Sequence, residues 1–376
     1  MKLRYLAFLL AASAILLLAS GASRERISLS PHPLSSSENT PSPIVPDNDQ
    51  PNTMLSLETL PPETTEKPEP EINTITISFL GDCMLATYKG GRGAGSFNLY
   101  AETAEPSHFF AGVYDILSSD DFTVANCENV FTDQNLPETP KDYSPAYWYR
   151  SPKKNAAIFT AGSIDIISLA NNHTNDYGKT GMADTISALE AENLIWGNTG
   201  NPVIIEKYGL KIAIMMVGMW GEYRTAALSN QIAALEKETD YQIIYYHGGT
   251  ERKYKPDEWR VRASRKLVDN GADLVIGNHP HVLQPMETYN GADILYSLGN
   301  FIFGGSVKDD RFTVIYQKIL TVCEGEIIAE DYRLIPVYEY EGAKNILWQP
   351  VPMTEGSDDY NSVIAFMHGK AETPRG

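Results

Sequence analysis

Asp82, Glu128, Asn172, His173, His247, His279 and His281 are the residues of this 376-residue chain whose types and placement point to chemistry. Carboxylate, imidazole and amide oxygen form a hard-to-borderline donor set, suited to Mn, Fe, Zn, Ni or Mg rather than to thiolate metals. Four of the seven histidines belong to it. His279-Pro280-His281 is its densest part. In an extended segment residues two apart share a face, and Pro280 restrains the backbone before it. Both imidazoles are therefore expected side by side, ready for one ion or two adjacent ones. An isolated triplet of this kind more often caps a loop, but the other candidates turn the reading towards a metal. Asn171-Asn172-His173 with Asp176 supports two readings. Asn172 is a ligand and His173, held by Asp176, gives a proton to a leaving group; or the segment is a polar loop capping the helix that starts near Lys179.

The elements that must position these residues follow from the apolar runs. Thr74 to Leu80 stops at Gly81-Asp82, Phe122 to Ala125 at Asn126-Cys127-Glu128, and Asp165 to Ala170 at Asn171-Asn172-His173. Tyr241 to Tyr246 stops at His247, Asp273 to Ile276 at Gly277-Asn278-His279, and Ile294 to Leu298 at Gly299-Asn300; Lys211 to Val217 is a further strand. Helices are expected over 179–192, 230–238 and 257–270, the last closed by Gly271. After Arg311 strand follows strand, with Gly325 at the turn. This is an α/β core with a β-rich finish, and its ligands sit in the crevice beyond the strand carboxyl ends. Cys83, Cys127 and Cys323 are too few for a disulfide framework. On a strand, Cys83 and Cys127 should point away from whatever Asp82 and Glu128 bind. Trp148 with Tyr143, Tyr147 and Tyr149 reads as a substrate platform or, as loop aromatics more often do, as packing over a core edge, and the apolar residues Val363 to Met367 in the tail are expected to dock a short helix or fray.

Composition narrows the function classes. The formal charge of −18 disfavours a general nucleic-acid binder. Lys2 and Arg4 precede the apolar run Tyr5 to Ala19 and a small-residue stretch, the layout of a signal peptide or uncleaved anchor over residues 1–22. Either way export is expected, to the extracellular face of the membrane, the cell wall or the medium. Residues 23–72 carry nine acids against three bases, ten prolines and no aromatic residue, and read as a disordered Ser/Thr/Pro/Glu-rich linker. The globular domain is expected over 73–376. Its share of the charge is −14, so anionic substrates need a local concentration of positive charge, which metal ions and bases such as Arg252 and Lys253 supply.

The blocks GDCML (81–85), ANCEN (125–129), SLANNHTNDYG (168–178), HGGTERKYKP (247–256) and the long block 271–304 resemble the CapA family of capsule or poly-γ-glutamate synthesis proteins. The resemblance spans about 75–340 and leaves out the leader, the linker and a tail over 344–376. It implies a calcineurin-like metallophosphoesterase sandwich, two β-sheets flanked by helices. It further implies Asp82, Glu128, Asn172, His247, His279 and His281 as metal ligands, and His173 as the acid, supported by Asp176. Glu251, Arg252, Tyr296, Ser297 and Asn300 are expected to contact substrate or to orient ligands. The sequence departs from the pattern at Met84, where a ligand His is usual, so one or two ions fit. It departs again at Thr174, where an acid is usual, and at Gly248, where Trp is common and glycine is expected to open the pocket mouth. Three roles remain open. The chain takes part in making, exporting or anchoring an anionic polymer, with membrane polymer-synthase subunits as partners; it is a secreted metal-dependent phosphoesterase; or it is a non-catalytic scaffold of such a synthase.

Overall fold

The computed structural model describes residues 69–91, 96–305, 311–340 and 348–375. The expected leader and nearly all of the expected linker lie outside the described residues. No helix among those described is long and apolar enough to cross a membrane.

Two mixed sheets form the body. The first runs, edge to edge, Val351–Pro352, Glu326–Tyr338, Phe312–Cys323, Ile72–Met84, Phe122–Cys127, Ile166–Ser168 and Ile195–Gly197, with Asn300–Phe303 pairing alongside Ile72–Met84. The second runs Leu283–Tyr289, Ala292–Leu298, Leu274–Asn278, Tyr241–His247, Leu210–Gly218 and Val203–Lys207. Neighbouring strands in the middle of both are parallel, so their carboxyl ends share one edge.

Period-two burial explains the layering. Ile75, Ile77 and Phe79 of the first sheet pack with Ile212, Ile214, Met216, Ile243, Tyr245, Leu274 and Ile276 of the second in one core between the sheets. The intervening residues face outward. Leu80, Ala125, Cys127 and Ile167 meet Ala188 and Leu189 of the helix Gly178–Ala191. Met215, Val217, Ile244 and Tyr246 meet Ile232 of the helix Thr225–Leu235 and Leu267 of the helix Glu258–Asp269. Burying each such aliphatic or aromatic side chain stabilises the fold by about 1.5–3 kcal/mol.

Local chemistry sets the boundaries. Gly271, at φ 108°, closes the helix Glu258–Asp269 as expected. Glu324 and Gly325, both at positive φ, form the two-residue turn between Phe312–Cys323 and Glu326–Tyr338. The helix at Thr225–Leu235 starts five residues before the expected 230. The first strand runs past Leu80 to Met84, because its last residues find a parallel partner in Asn300–Phe303, a pairing no local pattern announces. The tail docks the helix Asp358–Met367, and Val363, Phe366 and Met367 join the inter-sheet core.

Candidate metal centre

Strand alternation delivers some of the candidate ligands to the crevice, and departures from it deliver the rest. Tyr241, Ile243 and Tyr245 face the inter-sheet core, so His247 emerges on the same side. In the first strand, the parity that buries Phe79 inward and Leu80 outward would turn Asp82 under the helices. A register shift between Phe79 and Asp82 against Phe122–Cys127 inserts one residue and brings Asp82 back to the crevice. Cys83 then falls outward beside Cys127 in the helix-covered layer, as expected. Burial pushes the Cys127 thiol up to about 12 and that of Cys83 well above its ordinary value, so both are inert packing groups. Gly81 permits the close approach: a Cβ there would stand 2.0 Å from the Gly299 carbonyl oxygen.

The expected extended geometry of His279-Pro280-His281 is not what forms. His279 has φ 96° and His281 φ 58°, left-handed conformations that cost on the order of 1–3 kcal/mol each in non-glycine residues. Alternation alone would send His279 to the outer face. The reversal at His279 returns its ring to the crevice and aims its backbone N–H at Asp82 Oδ2, 3.0 Å away.

The assembled groups crowd around His247. Its Nε2 lies 2.9 Å from Asn172 Oδ1, 3.0 Å from His279 Nδ1 and 3.3 Å from Glu128 Oε1. Its Nδ1 lies 3.3 Å from Asp82 Oδ1. His281 Nδ1 is 3.4 Å from Asp82 Oδ2, and its Nε2 3.9 Å from Glu128 Oε1. Glu128 is common to two triads, one with Asp82 and His247 and one with His279 and His281, whose donor atoms lie within 4.8 Å of one another. Glu128 is wholly buried, and neither carboxylate oxygen accepts a hydrogen bond. Such a surplus of acceptors over donors fits a divalent cation, with Glu128 placed to serve one ion or to join two.

Electrostatics point the same way. Burial acts to lower both His247 and His281, but Glu128 and Asp82 outweigh it and raise them to about 9 and about 10. Burial acts to raise Asp82, and the charges and hydrogen bonds of His247 and His281 reverse it, holding the carboxyl far below its ordinary range. His279 is driven well down by burial and by the two neighbouring imidazoles. The carboxylates thus hold protons on two imidazoles in the metal-free chain, positive charge in the position a cation would take.

His173 lies beside Asn172, and its Nδ1 meets Asp176 Oδ2 at 2.8 Å. Thr174 closes the turn by donating to the Leu169 carbonyl. Met84, at the position of the missing histidine, is buried with Ala86, Tyr149 and Phe303. Tyr149 packs edge-on against His173 and Phe303 against His281, so this apolar cluster braces both rings.

The outer candidates separate. Asn300 Oδ1 pairs with His281 Nδ1 at 3.0 Å and orients it. Ser297 Oγ accepts from the Gly299 N–H and shapes the sheet-to-sheet turn. Arg252 donates its backbone N–H to Pro280 and steadies the histidine loop, while Glu251 is exposed beside it. Tyr296 does not line the crevice: alternation carries it to the outer layer, where its hydroxyl donates to Glu287. The expected opening at Gly248 is also corrected. A Cβ there would come within 1.8 Å of the Met219 carbonyl oxygen, so glycine is a packing requirement. The indole of Trp220 stands at the mouth instead, its ring 5.0 Å from His279 and 5.8 Å from His247 between centroids.

Sequence reasoning missed Asn126, Asn171 and Arg260. Asn126 Nδ2 donates to Asp82 Oδ1 at 2.8 Å and its Oδ1 accepts from Asn171, tying three strand ends together. Its place beside Glu128 at a strand end was the available signal. Arg260 is fully buried behind the loop at Gly249, bonded to Tyr246, Gln284 and the Tyr296 carbonyl, and nothing in a helical run marks it.

Comparison with known proteins bears on this arrangement. The family described as "Bacterial capsule synthesis protein PGA_cap" matches residues 76–305. The chain is 28% identical over 268 residues to the PGA biosynthesis protein CapA of Bacillus subtilis, covering 65% of this chain and 67% of that one. It is 28% identical over 263 residues to the capsule biosynthesis protein CapA of Bacillus anthracis, covering 62% and 61%. A probable polyglutamine synthesis accessory protein of Mycobacterium tuberculosis is 24% identical over 186 residues, 41% of this chain and 49% of that one. Among solved structures, TT1561 of Thermus thermophilus aligns at 10% identity and TM-score 0.39 over 67% of this chain and all of that one. Zinc-complexed Vps29 of Entamoeba histolytica aligns at 11% and 0.22 over 57% and 97%. With that family matched across the segment that supplies every strand of the crevice, the chain belongs to the bacterial capsule synthesis PGA_cap family.

Proposed function

We propose that this chain is an exported accessory protein of anionic capsule-polymer synthesis, poly-γ-glutamate being the example the motif resemblance supplies, and that its crevice holds one or two divalent ions for hydrolase-type chemistry on that polymer. The observation that carries the metal is Glu128, buried with neither oxygen accepting a hydrogen bond and its Oε1 facing the imidazoles of His247 and His281 at 3.3 and 3.9 Å. Asp82, Glu128, Asn172, His247, His279 and His281 are the proposed ligands. The layout, mixed donors at the carboxyl ends of two packed sheets with an Asn-His pair, is read as calcineurin-like. Export is read from the apolar leader, with membrane polymer-synthase subunits as partners.

A divalent ion supplies Lewis acidity toward a carbonyl or phosphoryl oxygen and lowers the pKa of water. The chain's own residues do the rest. Asp176 engages His173 at Nδ1, which leaves Nε2 as the nitrogen that takes up a proton and then passes it to the leaving group. Trp220 narrows the mouth. The positive centre lets an acidic domain accept a polyanion at one point of its surface.

The test is metal analysis of the full-length protein with assays on poly-γ-glutamate and on a phosphoester panel, beside deletion in the host. Metal-dependent polymer cleavage and reduced surface polymer are expected. Cleavage of phosphoesters alone would move the substrate class to phosphate; a metal-free, inactive protein would leave the scaffold role.

A further inference from the structure

We propose that Lys141 is a positioning residue for the His173–Asp176 pair, a role that rests on the reading of His173 as proton donor. Lys141 belongs to none of the motif blocks. It lies in the segment between the short strands Val130–Phe131 and Tyr149–Ser151, yet its side chain is only 8% exposed. Its ammonium meets Asp176 Oδ1 at 2.6 Å, donates to the Tyr147 carbonyl at 2.7 Å and stands 3.3 Å from His173 Nδ1. With these contacts it is engaged inside the protein rather than held out for a ligand.

The segment that carries it is strapped over the His173 loop. Thr139 donates its N–H to the Asp176 carbonyl and its hydroxyl to the Asn175 carbonyl, and Trp148 Nε1 donates to the Thr139 carbonyl. Asp176 is wholly buried, and its two oxygens have different partners. Oδ2 receives His173 and the Tyr149 N–H, while Oδ1 faces Lys141. A buried carboxylate deprived of its cation turns towards other donors or takes up a proton. Either response would release His173 Nδ1. Lys141 therefore holds the carboxylate in the orientation that fixes the imidazole, as an outer partner does for a metal-bound histidine.

The test is NMR of the imidazole nitrogens in histidine-selectively 15N-labelled full-length protein, comparing wild type, Lys141→Met and Lys141→Arg. Wild type is expected to show His173 as one tautomer, with the proton on Nδ1. Lys141→Met is expected to shift both nitrogen signals of His173 to the average of two tautomers, and Lys141→Arg to restore the wild-type pattern in large part. His108 and His368, packed against Tyr100 and Tyr332, report on the fold and should not move. If Lys141→Met does not fold, Lys141→Gln carries the same expectation. Wild-type His173 signals in the neutral variant, or equal disturbance in Met and Arg variants, would overturn the proposal. A wild-type protein that takes up no metal would overturn the proposed function and leave this comparison intact.

Discussion

The two sheets bring different chemistry to the crevice. Strand ends of the first contribute oxygen and amide groups, Asp82, Asn126, Glu128 and Asn172, while those of the second contribute the imidazoles of His247, His279 and His281. Each half is incomplete alone. Glu128 is buried with neither oxygen accepting a hydrogen bond, and burial alone would lower His247 and His281, which the facing carboxylates instead raise. The centre is thus a property of the packing between sheets, and the inter-sheet core that orders it also buries it.

The largest expected effect comes from Glu128, the proposed shared oxygen ligand. Glu128→Gln keeps the shape and removes the charge both triads use, so metal affinity should fall by more than the ~10–100-fold typical of losing an outer-shell partner. Isothermal titration with Zn and Mn checks this, and wild-type affinity in the variant would remove Glu128 from the centre. On the nitrogen side, His279→Asp exchanges a borderline donor for a hard one. Its affinity for Zn should drop while preference moves towards Mg or Mn. An unchanged preference would mean that His279 is not a ligand. Next in size, Asn126→Ala removes the contacts to Asp82 and Asn171, and Asn300→Ala the contact to His281; each should weaken binding about 10-fold or somewhat more.

Proton release gives a smaller, graded effect. His247 and His281, at about 9 and about 10, must lose protons before they ligate, whereas Asp82 is already ionised. Metal affinity should therefore climb with pH until about 9–10 and then level off. A flat profile from pH 6 to 9 would show that these imidazoles are neutral in the metal-free protein. The smallest effect separates packing from chemistry: Gly248→Ala should destabilise by about 1–3 kcal/mol through collision with Met219, seen as a lower denaturation midpoint.

Much of this arrangement was legible in the sequence because each ligand terminates an apolar run, and a strand that stops in a polar residue announces itself locally. What escaped depends on contacts distant in the chain. The register shift before Asp82 answers to Phe122–Cys127, and the extension of that strand to Met84 answers to Asn300–Phe303. Pro280 argued for extension, and the pull of Asp82 on the His279 N–H and the packed rings prevailed over that preference. Tyr296 was misplaced because a motif block names neighbours in sequence, whereas alternation separates them onto opposite faces. Lys141 was invisible because a lysine in a Pro-containing loop reads as solvated until the loop is folded over Asp176.

The chain changes sheets at Gly299. Ala292–Leu298 lies in the second sheet, Asn300–Phe303 in the first, and the Gly299 carbonyl receives the Asp82 N–H. During synthesis, which proceeds from the amino terminus, the carboxylate strands are finished long before this crossover. Until it is made, the Asp82 N–H lacks the Gly299 carbonyl and His281 lacks its orienting partner Asn300. On the proposed reading of the crevice as a metal centre, its geometry is therefore completed late, and an ion is selected only once this crossover has formed.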